Sequence, residues 1–185
     1  MKKIILSTLL ITALVSCKKE AEKTEENTLS IDSTQIEAPK TETSKISLKE
    51  VSQKELVEIL DQKNDTLYVT NFFATWCGPC MMEIPHFKKK IEELKGKPVK
   101  FTFVDILDKM AWKDKVPAFA RENGLENHIV LVDESKFDNT FFSNFERWKG
   151  NGIPFTHFRK GSKTDEIEGS MSEEMLNEKI NSFLK

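Results

Sequence analysis

Two cysteines three residues apart, Cys77 and Cys80, are the residues of this chain best suited to chemistry. Two thiols at this spacing can close a small disulfide and open it again. An apolar run at residues 67–73 predicts a buried strand before them, and residues 81–94 predict a helix after them. Cys77 should therefore lie at a helix N-terminus, where free backbone N–H groups and the helix dipole stabilise a thiolate. We expect thiol–disulfide exchange, with Cys77 as an accessible nucleophile and Cys80 as a buried resolving thiol.

A CxxC pair is also half of a zinc site, which needs about four ligands. His86, His128 and His157 are the side chains that could complete such a site with nitrogen. None of them stands at a spacing typical of a metal site, and we predict that no metal binds. His157 alternates within a predicted strand, which favours a structural role.

The elements that must position the cysteines predict an α/β domain, a mixed sheet with helices on both faces. We expect a short edge strand at residues 46–48, a helix at 112–123 and a C-terminal hairpin at 155–167. Residues 138–148 predict a further helix. Aromatic residues in this stretch and just before it recur at helical spacing and indicate a core face, with a partner-docking patch as the alternative. These residues are Phe137, Phe141, Phe145 and Trp148.

Residues 71–80, followed by Glu83 and Pro85, resemble the extracytoplasmic TlpA/ResA branch of the thioredoxin superfamily. Residues 152–154, Gly-Ile-Pro, resemble the cis-proline loop of the same fold. The resemblance covers residues 46–185. It implies a thioredoxin-like fold and a redox-active Cys77–Cys80 disulfide that works without an organic cofactor.

The resemblance also implies a proton acceptor. Asn71 stands where cytoplasmic thioredoxin has a buried Asp, and an Asn cannot accept a proton from the resolving thiol. In the TlpA/ResA branch a Glu three residues after the second cysteine is thought to serve instead, and here that residue is Glu83. Residues three apart share a helix face, so Glu83 can approach Cys80, and partial burial would raise its pKa. The alternative is a solvated surface glutamate.

The substrate side of the site is predicted from the proline loop. The resemblance implies a cis Pro154 and an Ile153 backbone that pairs with an extended substrate segment. An ordinary trans proline in a turn is the alternative. Trp76 should form an apolar rim around the thiol, whereas Phe73 should lie in the core. Phe155 replaces a small Thr of the family, which leaves the shape of the groove open.

Gly78 and Pro79, between the cysteines, are by resemblance typical of reducing members of the superfamily. No His stands there to stabilise the thiolate further. We therefore expect a reduction potential nearer to thioredoxin's, about −270 mV, than to that of the oxidant DsbA, about −120 mV.

The N-terminal residues predict a membrane anchor. Residues 1–16 combine a basic start with a short apolar run and indicate a secretory signal. Residues 14–17 resemble a lipoprotein box, so Cys17 should be lipidated; a plain signal peptide with a chance cysteine is the alternative. Residues 17–45 then form a lipidated cysteine and a flexible tether, because they have almost no large apolar side chains. Residues 46–185 form the single folded domain.

Charge excludes one class of partner. The full chain carries a formal −2. Without Lys2 and Lys3 the basic residues fall from 28 to 26 against 30 acidic ones, which makes −4. With no basic stripe, nucleic acid is not an expected partner.

These features predict a membrane-anchored lipoprotein of a bacterial cell envelope, most simply facing the periplasm, that reduces disulfides of protein substrates. An upstream membrane electron donor should recharge it. Family likeness adds a role in cytochrome c maturation. Two alternatives stay open: a peroxide-reducing relative, and a thioredoxin-fold binding module or chaperone without turnover.

Overall fold

The structure, a computed structural model of the chain, describes residues 46–185. Within this range the strands are β1 (Lys49–Glu50), β2 (Leu67–Phe73), β3 (Val99–Asp105), β4 (Ile129–Leu131), β5 (Phe155–Lys160) and β6 (Lys163–Glu168). The α-helices are α1 (Gln53–Leu60), α2 (Gly78–Glu93), α3 (Lys115–Asn123) and α4 (Glu173–Leu184). Short 3₁₀ turns lie at Lys109–Ala111, Glu134–Lys136 and Phe141–Asn144.

The six strands form one mixed sheet in the order β1-β4-β3-β2-β5-β6. The first four in this order are parallel, and β5 and β6 join antiparallel as the predicted hairpin. Helices cover both faces, which confirms the predicted α/β architecture.

Strand β2 lies at the centre of the sheet and carries the cysteine pair at its C-terminal end. Every residue of β2 except Tyr68 is buried. Because side chains alternate along a strand, Val69 and Phe73 pack into the core cluster that contains α2, α3 and α4, whereas Phe72 packs into the cluster that contains α1. The near-continuous apolar pattern of β2 therefore follows from burial on both faces.

Two element boundaries differ from the sequence expectations. The edge strand is Lys49–Glu50 rather than residues 46–48, because the pairing with β4 runs from Lys49 to Glu50. Helix α3 begins at Lys115, after a 3₁₀ turn, and not at Trp112. Trp112 instead directs its indole N–H to the carboxylate of Asp105.

The helix predicted over residues 138–148 is wrong, since only the 3₁₀ turn Phe141–Asn144 forms there. The backbone N–H groups of Glu146 and Arg147 donate to the Glu166 carboxylate, at 2.9 and 2.8 Å, rather than to helical carbonyls. We call residues 137–148 the aromatic segment. Its core interpretation is confirmed, because its three most buried rings are at most 4% exposed: Phe141, Phe145 and Trp148.

The predicted signal peptide (residues 1–16), Cys17 and the tether (residues 17–45) lie outside the described residues. Among residues 46–185, no helix has the length and apolar character needed to cross a membrane.

Candidate active site

Cys77 and Cys80 lie where β2 turns into α2, and they form a disulfide. Cys77 is the N-cap residue of α2, and its sulfur accepts a hydrogen bond of 3.2 Å from the backbone N–H of Cys80. The same N–H would stabilise negative charge on Cys77 once the disulfide is reduced. The position predicted for Cys77, at the helix N-terminus, is therefore confirmed.

The two sulfurs differ less in exposure than expected. Cys80 is fully buried, as predicted, but Cys77 is only 4% exposed, so the prediction of an accessible Cys77 is wrong for the disulfide form. The neighbouring residues Trp76, Gly78 and Pro79 are exposed. A molecule that reaches the sulfur of Cys77 must pass these neighbours.

A loop after β3 fixes the two residues before Cys77. The carboxylate of Asp108 accepts hydrogen bonds from the backbone N–H of Thr75, at 2.9 Å, and from its hydroxyl. The indole N–H of Trp76 donates to the carbonyl of Leu107 at 3.1 Å, while the ring stays 63% exposed. Trp76 thus lies at the rim, and Phe73 is fully buried, as the sequence predicted.

The proline loop, residues 150–154, lies against the disulfide. The carbonyl oxygen of Ile153 is 3.8 Å from the sulfur of Cys77. The Ile153–Pro154 peptide bond is cis, the form implied by the family resemblance. Phe155 does not enter the groove, because its ring is fully buried and stacks on Trp148. The large side chain at position 155 therefore does not narrow the groove.

Glu83 is a buried carboxyl on α2, three residues after Cys80. It is 1% exposed, so the alternative of a solvated surface glutamate is wrong. Its two oxygens accept hydrogen bonds from Asn71 Nδ2, at 2.7 Å, and from the backbone N–H of Met171, at 2.9 Å. Burial raises the pKa of Glu83 to about 7, although both hydrogen bonds act to lower it. A carboxyl with this pKa can take up or release a proton near neutral pH.

Two other buried groups titrate in unusual ranges. Burial raises the pKa of Asp105, at the end of β3, to about 7, and one of its oxygens has no partner among the described residues. Burial lowers the pKa of His157 to about 4, so this ring is neutral at physiological pH. His157 packs edge-on against Phe145, which agrees with its predicted structural role. Among residues 46–185, no three His, Cys, Asp or Glu side chains are grouped as a metal site requires.

Two residues that form hydrogen bonds with Asn71 and Glu83 were not predicted from the sequence. Thr156 accepts a hydrogen bond of 2.9 Å from Asn71 Nδ2, and Met171 donates its backbone N–H to Glu83. Thr156 was open to prediction only as a polar residue between Phe155 and His157, just after the proline loop. The Met171 contact was not, because a backbone donor leaves no trace in the side-chain sequence.

Residues 47–120 match the family model described as Thioredoxin. The thioredoxin of Oryctolagus cuniculus is 42% identical over 57 residues, which cover 31% of this chain and 52% of that protein. The thiol-disulfide oxidoreductase ResA of Bacillus subtilis is 25% identical over 134 residues, which cover 68% of this chain and 65% of that protein. The chain thus spans between about half and two thirds of the length of these two relatives.

The fold is also found in solved structures. A thiol:disulfide interchange protein of the thioredoxin family from Chlorobium tepidum superimposes with a TM-score of 0.56 at 19% sequence identity. The match covers 70% of this chain and 84% of that one. At this identity the likeness establishes the thioredoxin-like α/β fold.

Proposed function

We propose that this chain is a member of the thioredoxin superfamily, a thiol–disulfide oxidoreductase that reduces disulfides of protein substrates outside the cytoplasm. The observation that carries the proposal is the Cys77–Cys80 disulfide at the start of α2, with the Ile153 carbonyl beside it. A reversible disulfide at a helix N-terminus supplies a stabilised thiolate, and an adjacent backbone segment supplies a place to bind polypeptide.

In the proposed reaction the reduced protein is the electron donor. The Cys77 thiolate attacks one sulfur of the substrate disulfide; a Cys77–substrate bond forms, and the other substrate sulfur leaves and takes up a proton. Cys80 then loses its proton and attacks the sulfur of Cys77. The Cys77–Cys80 bond closes and the second substrate thiol is released. Two electrons have passed from the cysteine pair to the substrate, and its two sulfurs take up two protons, equal in number to those lost by Cys77 on ionising and by Cys80.

Glu83 is the proposed acceptor of the Cys80 proton. Its pKa of about 7 brings the carboxyl into the range where a general base works at neutral pH. Its place on α2, three residues after Cys80, puts both side chains on one side of the helix. Neither Asn71, which donates to Glu83, nor Thr156, which accepts from Asn71, can take that proton at neutral pH.

The proposed substrate is an extended polypeptide segment. The Ile153 backbone would pair with it as a short added strand, and the exposed ring of Trp76 would contact its side chains. The cysteine pair itself carries the two electrons to the substrate, so the proposed reaction uses no organic cofactor.

The direction and the location rest on sequence features. Gly78 and Pro79 favour a reductant, and a reductant in an oxidising compartment must be recharged, here by an upstream membrane electron donor. A lipid on Cys17 would anchor the protein to the membrane. The resemblance to the TlpA/ResA branch adds apocytochrome c thiols as a candidate substrate during cytochrome c maturation. The match to ResA supports this part of the proposal.

The test is reduction of insulin disulfides with dithiothreitol as the electron source. The wild type should accelerate precipitation of the insulin B chain, and Cys77→Ser should not. Absence of acceleration by a folded wild type would contradict the proposal and favour a binding module or chaperone. Consumption of hydrogen peroxide in place of insulin disulfides would favour the peroxide-reducing alternative.

A further inference from the structure

The proline loop is held from the core side by one aromatic residue. Trp148 is 2% exposed, and its indole N–H donates a hydrogen bond of 2.9 Å to the carbonyl of Gly152. Gly152 directly precedes Ile153, whose own carbonyl faces the sulfur of Cys77. The hydrogen bond from Trp148 to Gly152 therefore lies one residue before Ile153, whose backbone the proposed substrate would contact.

The ring of Trp148 connects this loop to the strand that carries the cysteines. It stacks on Phe155, the residue after Pro154, with ring centroids 4.5 Å apart and planes 13° apart. It also packs against Phe72 of β2, with centroids 4.7 Å apart. Trp148 thus contacts both ends of the site: the loop on one side and the strand leading to Cys77 on the other.

A second contact fits the loop to the aromatic segment. Gly150 has a φ of 80°, and a Cβ atom at this position would lie 2.6 Å from the ring of Phe142. Only a glycine allows this approach. The close fit shows that the loop packs directly against the aromatic segment at Gly150.

The loop needs such support, because residues 150–152, Gly-Asn-Gly, are exposed and two of them are glycines. The amide of Asn151 reaches Glu168 at 3.1 Å, but this hydrogen bond lies at the surface. The bond from Trp148 is part-buried: its acceptor Gly152 is exposed, but its donor belongs to a buried ring, where an unsatisfied indole N–H would be costly. It is therefore the stronger constraint on the loop.

We propose that Trp148 is a positioning residue for substrate binding: its indole N–H fixes the Gly152 carbonyl and so holds the Ile153 backbone ready to pair with a polypeptide substrate. This inference rests on the proposed function. Trp148 touches neither sulfur and acts only through the loop. Its effect should therefore appear with substrates that use backbone pairing and be absent with small disulfides that need only the Cys77 sulfur.

The experiment removes the N–H while keeping the ring. Replacement of Trp148 by benzothienylalanine preserves the shape of the indole and lacks the donor, and Trp148→Phe is a simpler second variant. The full chain is reduced, and second-order rates are measured with a disulfide-linked peptide and with Ellman's reagent, a small aromatic disulfide. The rate with the peptide should fall about 3- to 10-fold, the value of one hydrogen bond, while the rate with Ellman's reagent stays constant.

Phe183→Leu is the control for general loss of packing, because Phe183 is buried on α4 and packs on Phe158, away from the aromatic segment. It should leave the ratio of the two rates unchanged. Equal losses with both substrates, or no loss with the peptide, would overturn the role of Trp148. If the wild type reduces neither disulfide, the proposed function itself fails. The wild-type rates therefore distinguish a failure of the proposed function from a failure of the role of Trp148.

Discussion

Asn71 donates a hydrogen bond of 2.7 Å from Nδ2 to Oε1 of Glu83, and both side chains are 1% exposed. The Oδ1 atom of Asn71 has no partner among the described residues. An asparagine amide can rotate by half a turn and exchange its nitrogen and oxygen positions. In the observed orientation Asn71 donates to Glu83 and to Thr156, which suits an ionised carboxyl; a half-turn would present Oδ1 to Glu83 instead, which suits a protonated one.

Glu83→Gln should slow the Cys80-dependent step about 100-fold or more near neutral pH, because the proton acceptor is lost. The fold should remain, since the same rotation of Asn71 offers an acceptor to the new amide. The measurement is the pH dependence of single-turnover disulfide exchange, where the inflection near the Glu83 pKa of about 7 should disappear. Glu92→Gln, an exposed change on the same helix, is the control. An unchanged profile in Glu83→Gln would remove Glu83 from the mechanism.

The raised pKa of Glu83 also predicts a pH-dependent stability. Between the ordinary carboxyl pKa and about 7, the native state keeps a proton that the unfolded state has lost, so the free energy of unfolding falls as pH rises. From about pH 5 to about pH 8 the wild type should lose about 2 kcal/mol relative to Glu83→Gln. Urea unfolding of both proteins measures this difference and cancels the contributions of Asp105 and His157. A difference that does not change with pH would mean that Glu83 has an ordinary pKa.

The order of attack is tested by trapping mixed disulfides. Cys77 caps α2 beside the exposed residues Trp76 and Gly78 and is 4% exposed, whereas Cys80 is fully buried. Cys80→Ser should therefore accumulate a covalent complex with a peptide disulfide, and Cys77→Ser should form none. Non-reducing gel electrophoresis and mass spectrometry detect the complex. Equal trapping by the two variants, or trapping by Cys77→Ser alone, would reverse the assignment.

Leu107 adopts a backbone conformation that is costly for a leucine. Its φ is 63°, its side chain is 45% exposed, and its carbonyl accepts the Trp76 indole. A non-glycine residue in this left-handed backbone conformation costs the folded state about 1–2 kcal/mol. Leu107→Gly should therefore be more stable than Leu107→Ala by about 1 kcal/mol, the reverse of the usual order outside turns. Thermal unfolding of the two variants decides this, and an alanine variant as stable as the glycine one would show that the backbone here is relaxed.

The elements nearest to the cysteines could be predicted because local patterns determine them. An apolar run covered on both faces predicts β2, and the cysteine spacing at the turn into a helix predicts α2. The start of α1 is also marked locally, by Ser52. Its hydroxyl accepts the N–H of Glu55, which is the contact that an N-cap serine makes. In each of these cases the signal lies within a few residues of the structure that it predicts.

Residues 138–148 could not be predicted in the same way. The aromatic spacing fits a helix, but the Glu166 carboxylate, from a strand later in the chain, binds the backbone N–H groups that a helix would use. The low exposure of Cys77 likewise arises from the proline loop, more than 70 residues away in sequence. Contacts made between distant segments decide these features, and a single sequence does not show which segments meet.

The reduction potential of the Cys77–Cys80 pair tests the central claim, that this protein is a reductant, most directly. Pro79 supplies no backbone N–H, and the disulfide turn has a glycine rather than a histidine beside Cys77, so the thiolate has moderate stabilisation. Equilibration of the purified protein with dithiothreitol or glutathione buffers should give a value nearer to about −270 mV than to about −120 mV. A value at the oxidising end would mean that the pair inserts disulfides, and it would contradict the account even with both cysteines correctly assigned.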